Sequence, residues 1–212
     1  MFFLFLFLIF LITAAALWFQ GLWNIAITLI NMILAMLIAT NFFEPICTLI
    51  ESVGGASFTY LLDFLVLWIL FAVVFGVLRA FSDMLSKQAV KFNLPVEMAG
   101  RTILALWCGY LMVCFTAFSM HMAPLNSVTP MGAFESPNST SFLGMAPDRQ
   151  WLGFMQSRSR GALARGNFSG DVHPNDQELN VETFDPHSEF PLRYRQRREN
   201  YSAMAEGLRV PQ

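Results

Sequence analysis

The sequence predicts an all-α membrane protein. It has four transmembrane helices, an interfacial amphipathic helix between helices 3 and 4, and a largely disordered C-terminal tail. Three observations predict this. The first charged side chain of the 212 residues is Glu44, and an uncharged run of that length suits lipid rather than water. Apolar residues make up 55% of the chain and charged residues 13%, about half the charged share usual in soluble domains. The charge is also unevenly placed: residues 1–124 hold 4 of the 13 Lys and Arg and 5 of the 15 Asp and Glu. The chain therefore divides into a four-helix membrane domain, 1–124, and a polar tail, 125–212. These proportions argue against a soluble enzyme, a charged disordered protein and a disulfide scaffold. The net charge of −2 gives no sign of nucleic acid as a partner.

Residues 2–19 form an apolar run of about 27 Å as a helix, roughly the hydrocarbon thickness of a bilayer. A run ending in Thr13-Ala14-Ala15-Ala16 also describes a signal peptide, but no basic residue precedes it. Gln20-Gly21 breaks the run. A second span, 22–43, ends before Glu44-Pro45. The segment from Ser52 to Ser57 is a loop. The third span is 60–78, and the fourth is 102–123, closed by Pro124. Arg79, Lys87, Lys91 and Arg101 all lie between spans three and four, whereas the 44–59 loop has no basic residue. Basic residues at helix ends stay cytoplasmic, so the tail is expected on the outer side.

Polar residues inside the spans are the candidate functional positions. Asn24, Thr28 and Asn31 share one face of the second helix. Amides are costly against lipid, so this face should meet another helix or, less favoured, line a solute path. Asp63 lies one turn into the third helix, where a structural role at the helix N-terminus is expected. Ala72, Gly76 and Ala80, and Ala105 and Gly109 on the fourth helix, have the spacing of helix-packing faces. Between the spans, Phe81, Met84, Leu85, Ala89 and Phe92 form an apolar stripe beside Lys87 and Lys91, as in an interfacial helix.

In the tail, residues 148–165 could form a short amphipathic helix. Trp151 and Phe154 would then either lie at the membrane interface among arginines or form a partner-docking motif. Arg193, Arg195, Arg197 and Arg198 form a basic run, expected to be a solvated cluster. Asn138-Ser139-Thr140, Asn167-Phe168-Ser169 and Asn200-Tyr201-Ser202 match the glycosylation pattern, which matters only in a eukaryotic secretory pathway. Cys47, Cys108 and Cys114 form no metal-binding pair, and His121, His173 and His187 are scattered. His121 is expected at the membrane interface. No catalytic residue, cofactor or metal is indicated.

These features together resemble the bacterial colicin V production (CvpA) family of inner-membrane proteins over residues 4–124. The resemblance rests on the apolar first helix, the Trp18-Phe19-Gln20-Gly21 turn and the second helix that starts at once. It continues with a long third helix running into a basic segment. A turn bearing Glu97 and Gly100 then leads into a small-residue-rich fourth helix. The turn at Gln20 carries no basic residue, unlike the family's common pattern. The resemblance implies a non-enzymatic inner-membrane protein with a role in toxin (colicin V) production or export and in envelope upkeep. Its partners would be the lipid bilayer, membrane or envelope proteins, and further copies of itself. The alternative is a small oligomeric channel or transporter subunit with the Asn24, Thr28, Asn31 face inward.

Overall fold

The computed structural model describes residues 1–54, 59–86, 92–123, 133–134, 140–159, 184–185 and 188–207. Among these the regular structure is helical apart from an isolated bridge between Phe142 and Met145, with turns and loops between the helices. The helices are α1 (Phe2–Trp18), α2 (Leu22–Gly54), α3 (Thr59–Leu85), α4 (Leu94–Ser119), α5 (Pro147–Ser159) and α6 (Phe190–Gly207). Three are long and apolar enough to cross a membrane, at Leu22–Ser52, Leu61–Leu85 and Leu94–Ser119. The shorter α1 is apolar along its 17 residues.

The turn from α1 to α2 forms because Gly21 adopts a φ of +82°, a left-handed conformation that glycine enters without steric cost. It sends the chain back antiparallel to α1. The main pairings are α2 with α3 and α1 with α4, with α2 also touching α4. Small residues bring the helices close. A Cβ added at Gly109 would stand 3.0 Å from the Phe10 carbonyl oxygen, and one at Gly100 would stand 2.8 Å from a Leu22 methyl group. The core joins Met36 and Phe43 of α2, Leu67 and Phe71 of α3, and Phe115 and Phe118 of α4. Outward-facing Leu4, Leu8 and Ile12 of α1, and Ile69, Val73 and Val77 of α3, are exposed. Such an apolar exterior fits lipid better than water.

Several span boundaries differ from expectation, among them the end of α3 at Leu85 rather than residue 78 and the end of α4 at Ser119 rather than residue 123. Helix α2 continues through Pro45 to Gly54 rather than ending before Glu44. A proline interrupts the helical ladder, but the last turns of α2 are held from outside it. Cys47 is buried, and Glu44 is paired with α6. Helix α4 starts at Leu94, not at residue 102. Pro95 occupies the first turn, where its missing N–H leaves no bond unmade, and Asn93 is the extended N-cap residue. The start of the expected interfacial helix belongs to α3, which ends at Leu85. Residues 87–91, with Lys87 and Lys91, lie outside the described residues.

The tail contains packed structure. Helix α5 docks on α4 and touches α2. Trp151, Met155, Phe184, Phe190 and Tyr194 are all buried in the same core as Phe115 and Phe118. The tail has too few apolar residues for a core of its own, which is why its sequence predicts disorder. Those few are concentrated on the faces that meet the bundle. The Asp185 carboxylate accepts hydrogen bonds from the backbone N–H groups of Glu189 (2.9 Å) and Phe190 (3.1 Å), capping α6. Gln156 of α5 donates to the Asp185 carbonyl at 3.1 Å, and the Phe184 N–H donates to Ser159 Oγ at 2.9 Å. These contacts tie the two tail helices together.

Candidate functional site

Polar side chains collect at two ends of the bundle. One end is formed by the C-terminal part of α2, the start of α3 and the end of α4, and it is capped by α5 and α6. Asp63 accepts hydrogen bonds from Tyr194 Oη at 2.9 Å and from Arg197, with which it forms an ion pair. Glu44 pairs with Arg193 at 2.6 Å. His121 Nε2 meets Asp148 Oδ2 at 3.0 Å in a buried pair. The His121 carbonyl accepts from Arg198 Nη1 at 2.6 Å, and its ring lies 3.9 Å from that of Phe134. Arg195 pairs with Glu199 within α6. The basic run therefore binds mainly to this chain's own carboxylates and carbonyls.

Apolar anchors hold the cap. The Phe190 ring stacks on Phe118 at 4.9 Å, and Trp151 meets Phe115 edge-on at 6.0 Å. The indole N–H of Trp151 donates to Thr40 Oγ1 at 3.2 Å, satisfying the polar atom that burial would otherwise penalise. Trp151 is therefore an internal anchor, a correction to the expected interfacial role. Its indole finds both a ring partner and a hydroxyl inside the bundle. Phe154 lies on the outer side of α5 and is partly exposed.

Burial sets the protonation behaviour of this end. It lowers the His121 pKa below the ordinary 6.5, the nearby Arg198 acts in the same direction, and Asp148 opposes both. Burial also pushes the Tyr194 phenol up, with the Asp63 and Glu44 charges adding to the effect. Tyr194 therefore stays a neutral donor to Asp63.

The other end joins the start of α2 to the end of α3. Asn31 Nδ2 donates to Ser82 Oγ at 3.0 Å and to the Leu78 carbonyl at 3.4 Å. Arg79 Nη1 donates to Thr28 Oγ1 at 2.7 Å and pairs with Asp83. Trp23 donates to Ser86 Oγ at 2.8 Å, and Asn24 donates back to the Gln20 carbonyl. Thr28 and Asn31 of the polar face are thus occupied by α3. A channel subunit would need that face turned toward a pore. Across the bundle, the Arg101 guanidinium lies 4.3 Å above the Trp18 ring.

The small-residue faces separate. Gly109 and Ala105 lie in the α1–α4 contact region. Ala72 and Gly76 are exposed on α3, and a Cβ at Gly76 would meet nothing within 4 Å. Within one chain, therefore, only the α4 face packs as expected. Among the described residues no three His, Cys, Asp or Glu side chains converge on a metal position. No motif in the sequence marks Tyr194, Asp148 or Thr40 as site residues. The local signal is Phe190 and Tyr194, one turn apart where the basic run begins. No family model matches the chain, and neither a curated protein nor a solved structure matches it.

Proposed function

We propose that this chain is a non-enzymatic, four-span protein of the bacterial inner membrane, similar to the colicin V production family. It acts as a scaffold in toxin production or export and in envelope upkeep. The observation that carries the reading is the antiparallel packing of α1 along α4. A helix of 17 residues is about 25 Å long, and lying against an apolar helix of spanning length it occupies the same slab of membrane. The exposed apolar residues of α1 and α3 support the same reading. With Arg79, Lys87, Lys91 and Arg101 on the cytoplasmic side, the α5–α6 cap faces the periplasm. The cap gives the scaffold a folded outer surface for envelope proteins, while the membrane helices remain available to further copies or other membrane proteins.

Two measurements test this reading. In a chain with its three native cysteines replaced by Ser, a cysteine at Thr140 should react with an impermeant thiol reagent in intact cells. A cysteine at Phe92 should react only after the membrane is opened. The opposite pattern, or release of the protein by carbonate, overturns the topology. The tagged full chain should co-purify with membrane or envelope proteins that are lost when residues 125–212 are removed. Purification of the embedded chain alone overturns the scaffold role.

A further inference from the structure

An apolar groove runs along the junction of α1 and α4, between Ala15 and Trp18 on one side and Thr102 and Leu106 on the other. Arg101 stands at one end of it. Its guanidinium carbon is 4.3 Å from the centre of the Trp18 ring, and Trp18 is fixed by its indole N–H donating to Thr102 Oγ1 at 3.0 Å. Arg79, Arg193, Arg195 and Arg197 each face a carboxylate. Arg101 has neither a carboxylate nor a hydrogen-bond acceptor among the described residues, and its Nε is buried without a partner. Glu97, one turn earlier on α4, makes no ion pair with it.

The depth of these residues identifies the chemistry that fits them. Trp18 closes α1, and tryptophan at the end of a span sits at headgroup level. From there the groove descends along α1 toward Ala14 and along α4 toward Leu106, into the hydrocarbon. An unpaired guanidinium at the headgroup and an apolar channel below it complement a phospholipid. The guanidinium fork matches phosphate oxygens, and an anionic headgroup adds a longer-range attraction. We propose that this groove binds one anionic phospholipid, with its phosphate on Arg101 and an acyl chain against Ala15 and Leu106. The site rests on the membrane reading above.

The test is native mass spectrometry of the full chain released from mild detergent with added phosphatidylglycerol or phosphatidylcholine. The chain should retain phosphatidylglycerol about fivefold more than phosphatidylcholine, the scale of one basic residue near an anionic headgroup. R101Q should abolish that preference. A15F, at an exposed position, should fill the groove and reduce retention of both lipids. Millimolar inorganic phosphate should displace neither. Equal retention of the two lipids, an R101Q chain that keeps the preference, or an A15F chain that binds as before overturns the proposal. Displacement by inorganic phosphate also overturns it, showing a free-anion site instead. A chain that carbonate strips from vesicles overturns the membrane reading and this site with it. An embedded chain without lipid preference overturns the site alone.

Discussion

The capped end and the open end of the bundle solve the same problem with different means. Both bury polar groups between helices. At the open end the partners are neutral or partly exposed: Asn31 with Ser82, and Thr28 with Arg79. They come from α2 and α3, adjacent in sequence. At the capped end the partners are charged and more buried: Asp63 with Arg197, and His121 with Asp148. In each of these pairs one partner belongs to the tail, Arg197 of α6 and Asp148 of α5. The comparison teaches that membrane-domain contacts supply the basic helix pairing, whereas the tail adds charge pairs that need apolar anchors to exclude water. Asp63 illustrates the dependence. An acid one turn into a span is costly alone, and here it is satisfied by two tail side chains.

The comparison is broken most severely at Trp151. W151A removes the largest fully buried side chain of the cap and should cost about 3–5 kcal/mol. Hydrogen exchange should then show α5 losing protection while the amides of α1 keep theirs. An unchanged α5 would mean that the cap is held by its ion pairs alone. D63N should cost about 3 kcal/mol, because Arg197 is left beside a neutral amide in a largely buried place. Faster exchange in α6 than in α5 is the expected signature.

Acidification gives a graded effect. Buried His121 resists protonation, whereas a released histidine takes up a proton near its ordinary 6.5. Above that pH both forms are neutral. As the pH falls through 6.5, the undocked form binds a proton that the docked form does not, so docking weakens. Protease sensitivity of the tail should therefore rise between pH 7 and pH 5.5, and H121N should flatten the profile.

At the open end, N31L should cost about 0.6–1.7 kcal/mol, the range of interhelical hydrogen bonds in membranes. The measurement is the unfolding midpoint in mixed micelles. R193A should have the smallest effect, under about 1 kcal/mol, because the guanidinium is largely exposed. A larger loss would make the rim as important as the anchors.

The sequence by itself determined the helical class, the apolar runs and the break at Gln20-Gly21, because hydropathy and a glycine turn act over a few residues. It also placed Asn24, Thr28 and Asn31 on one face, since helical periodicity is local. It misjudged Pro45, whose effect depends on whether the neighbouring turns are supported from elsewhere. Only the tertiary structure decided that Trp151 turns inward to Thr40, that Asp63 is met by Tyr194 and Arg197, and that Gly109 packs while Gly76 does not. The partners of Trp151 and Asp63 stand more than a hundred residues away. Which glycine packs depends on how the helices are arranged around one another. Neither periodicity nor composition carries information about which distant side chain fills a given gap.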